Sequence, residues 1–179
     1  MDHILQITST QEGKFLRRKT KPFDFSKRTL PETQGMLAKM KQAMREAKGV
    51  GLSANQIGID AQVFVAEVPG AQGEMKFYSI FNPVIEKASK ELESGEEGCL
   101  SVTGTYGEVP RSTQLTVRGF DKKGKPIKIK AWGLLARVFQ HEIDHLNGLL
   151  FIDRAEKTYE VPVSERLKGV IANNANQGK

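Results

Sequence analysis

His141 and His145 stand four residues apart around Glu142, in the run Gln140-His141-Glu142-Ile143-Asp144-His145. On a helix this spacing places both imidazoles on one face, one turn apart, so a single metal ion can take both. Glu142 then reaches a water activated by that metal without being a ligand itself, which is the arrangement for metal-assisted hydrolysis. A catalytic site of this kind needs a third protein ligand and an open position. The chain has three histidines and one cysteine, so any further nitrogen or sulfur ligand is His3 or Cys99. Cys99 sits in Glu97-Gly98-Cys99-Leu100-Ser101, where Gly98 allows an unusual backbone just before the thiol. A metal-bound thiol is deprotonated outright, whereas a lone cysteine without a metal is more often a small buried hydrophobe. No histidine follows His145, which removes the metzincin pattern. Glu165 lies downstream, so a small thermolysin-like peptidase with Glu165 as third ligand stays open.

A glycine-rich segment, Gly49-Val50-Gly51-Leu52-Ser53-Ala54-Asn55-Gln56, precedes both motifs. It lacks the further glycines of a dinucleotide fingerprint and the Lys-Ser/Thr of a phosphate loop. The three segments in this order resemble the peptide deformylase family, whose motifs read G-x-G-L-A-A-x-Q, E-G-C-L-S and Q-H-E-x-D-H-L-x-G. The second and third match in full, ending here at Leu146-Asn147-Gly148. The first departs at Ser53, where the family usually has Ala; as a small-for-small change it is expected to matter little. The resemblance runs from about residue 29 to about residue 155. Before that the family's opening is replaced by a Pro-free stretch from Ile4-Leu5 to Leu16-Arg17.

The resemblance implies removal of the N-formyl group from the formyl-methionine of nascent polypeptides, with release of formate. Cys99, His141 and His145 would hold one divalent metal, Fe(II) natively, with Zn, Ni or Co tolerated; a mixed sulfur and nitrogen set suits several of these. Glu142 would be the general acid and base, acting on water as the nucleophile and then on the leaving amine. The oxyanion would be held by the Gln56 amide, the Leu100 backbone N–H and the metal. Gly51 and Gly98 would let the substrate backbone come close, and residues after Gly104 would offer it an extended edge. Arg111 would line the pocket or pair with Glu97. Asp144 would orient a ligating imidazole or join a buried salt bridge.

The elements that must position these groups are legible in outline. Thr29 to Gly49 reads as a helix, with Pro31 near its start and Met36, Leu37, Met40 and Met44 at helical spacing. Leu134 to Asn147 reads as the helix carrying the histidines, closed by Gly148. Residues 62–68 and 77–85 read as strands, and 114–120 and 126–132 as a hairpin around Asp-Lys-Lys-Gly-Lys. Residues 163–173 read as a C-terminal helix followed by a polar tail at 174–179, and residues 8–28 as a long basic loop. The expected fold is α+β: antiparallel or mixed strands packed around a central helix bearing the motif, with a second, N-terminal helix and a C-terminal one.

The composition fits a single catalytic domain over residues 1–179, with 1–28 as an irregular basic segment. The chain is 39% apolar and 27% charged, which excludes wholesale disorder and a fibrous repeat. No apolar run reaches the roughly 18 residues of a membrane helix. The single cysteine excludes an internal disulfide and fits a reducing compartment. The start shows neither a secretory nor a transit signal, so a bacterial cytoplasm is the expected location rather than an organelle. The net charge is +6, and residues 1–48 carry all of it, with 11 basic and 5 acidic side chains. That segment fits a solvated loop or a contact with an anionic surface such as the ribosome. No sequence-specific nucleic-acid motif accompanies it, and a monomer is expected.

Overall fold

The computed structural model describes residues 3–70 and 72–161. Three α-helices (α1 Thr10–Leu16, α2 Leu30–Glu46, α3 Gly133–Leu146) accompany eight strands. The strands are β1 Gly51–Ser53, β2 Val63–Pro69, β3 Met75–Ala88, β4 Leu92–Cys99, β5 Val102–Ser112, β6 Gln114–Phe120, β7 Pro126–Trp132 and β8 Lys157–Glu160. They form a five-stranded sheet, ordered β1-β2-β3-β6-β7, and a three-stranded sheet, β4-β5-β8. Every pairing is antiparallel. The α+β expectation therefore holds, with antiparallel rather than mixed sheets.

Strand β2 explains how two helices can use one sheet. Side chains of a strand alternate between faces. Val63 and Val65 join the cluster of α2, formed by Met36, Leu37, Met40, Ala43 and Met44. Phe64, Ala66 and Val68 join the cluster of α3, with Ala136, Val138, Phe139, Ile143 and Leu146. A strand buried on both faces reads as a continuous apolar run, as residues 63–66 do.

Helix α2 starts where expected. Thr29 and Glu32 form a reciprocal capping box, and Pro31 occupies the first turn. Helix α3 ends at a left-handed Gly148 (φ 78°). The Leu149 N–H there returns to the Asp144 carbonyl at 2.9 Å. The expected hairpin is β6–β7, with Asp121 Oδ1 accepting from the Lys123 and Lys125 N–H groups across the turn.

Two expectations are corrected. Residues 8–28 are not a loop throughout: Ser9 caps α1 by accepting from the Glu12 N–H, and Phe25–Lys27 makes a 3-10 turn. Leu16 anchors α1 in the interior with no exposed surface. Its basic cluster is partly paired as well, Arg17 with Asp153, and Arg18 and Lys21 with Asp60. Nor is the segment after Gly104 a free edge, because Tyr106–Glu108 pairs with β4 on one side and β8 on the other. The expected C-terminal helix at 163–173 lies outside the described residues. No helix among the described residues is long and apolar enough to cross a membrane.

Candidate metal centre

Three segments converge on one point. Helix α3 presents His141 and His145 on one face, with ring centroids 4.9 Å apart. Strand β4 ends at Cys99, where a register shift after Gly98 turns the chain toward β5. Strand β1 and the 3-10 turn Ala54–Ile57 bring up Gln56 from the other side. The ligand atoms of Cys99, His141 and His145 all lie within 4.8 Å of one another. Cys99 Sγ is 3.1 Å from His145 Nε2 and accepts from the Ser101 N–H at 3.3 Å.

The donor set has the electronic character a metal needs. Burial pushes the Cys99 thiol up, but the charge of His145 and hydrogen bonds from both histidines outweigh this and bring it down to about 5. Burial works against a charged His141, yet its contacts with Cys99 and Glu97 raise it well above the usual histidine range. A thiol held low beside an imidazole held high is a site prepared to exchange protons for a cation. The residues present therefore fit a divalent metal held by one sulfur and two nitrogens.

The carboxylates around the centre divide the work. Glu97 stands two residues before Cys99, so strand alternation puts both on one face. It receives His141 Nδ1 at 2.9 Å, which leaves Nε2 of that ring for the metal. Arg111 clamps Glu97 with two bonds of 2.8 and 2.9 Å, and Arg137 adds one of 3.0 Å. Burial pushes Glu97 up, but the bonds from Arg111 and His141 prevail and hold it at about 2. Arg111 also reaches Asp144 at 2.5 Å, and Arg154 holds Asp144 from the far side. Arg111 is only 4% exposed and its guanidinium is committed to two carboxylates. Of the two readings of Arg111, the pairing with Glu97 is the one seen, and the pocket-lining, substrate-contact reading is corrected: Arg111 is a buried ion-pair centre beneath the histidine helix.

Glu142 is 3% exposed. Burial raises its carboxyl above the ordinary range, against the lowering effect of His141, His145 and Ser53. Its Oε2 is 2.6 Å from the Ser53 hydroxyl. Gly51 lies against the other oxygen: a Cβ there would be 2.3 Å from Oε1.

Gln56 accepts the Ser53 N–H at 2.8 Å through Oε1, which fixes the amide with Nε2 toward Ser101 Oγ (3.2 Å) and Cys99 Sγ (3.7 Å). The Leu100 N–H has no acceptor among the described residues. Gly98 is exposed beside Cys99, and a Cβ on it would strike the Tyr106 ring at 2.7 Å. Asn55 Nδ2 bonds the His145 carbonyl at 2.7 Å. Glu165 lies outside the described residues. Sequence reasoning passed over Ser53, Asn55 and Arg137; only Ser53 carried a signal, as the departure from the first motif.

A sequence-family model described as polypeptide deformylase matches residues 3–160. A peptide deformylase of Halothermothrix orenii is 43% identical over 159 residues, 88% of this chain and 97% of that protein. Among solved structures, a peptide deformylase from Synechococcus elongatus in complex with actinonin is 35% identical, with a TM-score of 0.75 over 86% of this chain and 78% of that one. A class I type b peptide deformylase from Acinetobacter baumannii, bound to Met-Ala-Ser, is 30% identical, with a TM-score of 0.77 over 84% of this chain and 96% of that one.

Proposed function

The chain belongs to the polypeptide deformylase family, and on that premise we propose that it hydrolyses the N-formyl group from formyl-methionyl ends of nascent polypeptides, releasing formate. The observation that carries this reading is the convergence of Cys99, His141 and His145 within 4.8 Å, with Glu142 buried on the same turn of α3. A divalent ion held by these three residues, Fe(II) by resemblance, would supply Lewis acidity and make water a nucleophile near neutral pH.

The remaining roles belong to side chains and backbone of this chain. Glu142 takes a proton from the attacking water and returns it to the leaving amine. Its burial, which raises the carboxyl, suits a group that must hold that proton between the two steps. Gln56 Nε2 and the Leu100 N–H point donors at the developing oxyanion, each worth about 3 kcal/mol of barrier in comparable sites. The missing Cβ atoms make room for the site's own side chains: one on Gly51 would stand 2.3 Å from Glu142 Oε1, and one on Gly98 2.7 Å from the Tyr106 ring.

The reading is tested by formate release from formyl-Met-Ala-Ser, using anaerobically purified, iron-loaded protein with Glu142→Ala beside it. Turnover that vanishes in the variant is the expected result. A fully metallated parent without turnover overturns the reading, and cleavage of unblocked peptides by that preparation would turn attention to Glu165.

A further inference from the structure

Strand β1 touches both oxygens of the Glu142 carboxylate. Residues 51 and 53 share one face of the strand by its two-residue period. Gly51 packs its bare Cα against Oε1, and Ser53 reaches Oε2 with its hydroxyl at 2.6 Å. Ser53 has no exposed surface, and its own N–H is tied to Gln56, so the hydroxyl is delivered from a fixed backbone. The Glu142 carbonyl is a second acceptor within reach, at 2.9 Å. A hydroxyl has one proton to give, and the carboxylate is both nearer and the stronger acceptor. Oε1 has no hydrogen-bond partner among the described residues. The terminal torsion of a glutamate is broad, so an unheld carboxylate samples many orientations.

Resting on the deformylase reading, we propose that the Ser53 hydroxyl is a positioning residue for the reaction: it pins Oε2 of Glu142 and leaves Oε1 as the oxygen that carries the proton. As the water oxygen bonds to the formyl carbon, its proton passes to Oε1. When the carbon–nitrogen bond breaks, the electron pair stays on nitrogen, which takes that proton. Formic acid leaves and ionises. Ser53 touches none of the reacting atoms and acts through Glu142 alone.

The test is a double-mutant cycle on the metal-loaded full chain, with formyl-Met-Ala-Ser as substrate. Ser53→Ala removes one atom and adds none. Loss of one charge-assisted hydrogen bond is expected to lower kcat about tenfold, with KM within about twofold and metal content unchanged. In a Glu142→Asp background the carboxylate is drawn back by one methylene, away from Ser53. There the same Ser53→Ala change is expected to leave the residual kcat unaltered. Four results overturn the proposal: a Ser53→Ala kcat within about twofold of the parent, a loss carried by KM, a loss of the same size in the Glu142→Asp background, or a loss of metal or of folded protein. The last would make the hydroxyl merely structural. A metallated parent that releases no formate refutes the deformylase reading and this proposal with it, whereas a fully active Ser53→Ala refutes only this proposal.

Discussion

Gly51→Ala separates the chemistry of the site from the stability of the fold. An added Cβ would lie 2.3 Å from Glu142 Oε1, 2.9 Å from Cδ and 3.1 Å from Cγ, where ordinary contact begins at 3.4 Å. The carboxylate must therefore withdraw by about 1 Å, the sort of error that costs about 100-fold in rate when it displaces a reacting group. That is about 2.7 kcal/mol of barrier. The fold has less to lose. Gly51 does not occupy the left-handed backbone region, so alanine adds no torsional strain. The obstructing atoms are the end of a side chain, which can move at the expense of its bond to Ser53. We expect a stability loss below about 2 kcal/mol, a Tm shift below about 8 °C. Formate-release kinetics, metal content and a thermal melt measure the three quantities. Gly35→Ala is the control: it faces open space on α2 and should raise stability by about 0.5–1 kcal/mol with activity unchanged. A metallated Gly51→Ala with kcat within about threefold of the parent would refute the idea that the position of Oε1 limits the reaction.

Further outcomes follow from the ligands and the ion pairs. Cys99→Ser should weaken metal binding by more than about 100-fold, because second-sphere partners alone contribute 10–100-fold; metal assay after dialysis checks this, and retention of metal would favour a ligand set without sulfur. Arg111→Met strands Glu97 and Asp144 in a site where all three side chains are under 10% exposed. With Arg137 and Arg154 still in place, the loss should sit at the low end for a broken buried pair, about 3 kcal/mol, or about 6–12 °C in Tm. Urea unfolding that shifts by less than 1 kcal/mol would show that the network is solvated. Glu97 also predicts acid lability. Its carboxyl falls from an ordinary 4.5 to about 2 on folding, so its contribution is complete above about pH 4.5 and disappears as pH drops toward 2. The size is about 3 kcal/mol. Urea midpoints for the parent and Glu97→Gln should diverge at pH 6 and converge near pH 2; parallel curves would contradict the assignment.

The residues proposed to perform the chemistry were easier to read than those proposed to orient them, and the reason is range. His141, Glu142 and His145 are related by a helical period within one segment, so their joint purpose is visible without any tertiary knowledge. Helix α2 and the β6–β7 hairpin are equally local, marked by a capping box and a glycine turn. Strand β4 is different: Leu-Glu-Ser-Gly-Glu-Glu-Gly-Cys has poor strand propensity and is held extended by its pairing with β5. For Arg111 the pairing with Glu97 is one of two readings, but its second carboxylate, Asp144, comes from α3, and only folding brings the two together. Ser53 is the sharpest instance. Judged by volume, serine for alanine changes little. Judged by the register of β1 against α3, the same hydroxyl meets the one carboxylate on which the proposed reaction depends. The strand's two-residue period and the helix's four-residue period are each plain in the sequence. Their intersection at Glu142 is a tertiary fact, and the role proposed for residue 53 rests on it alone.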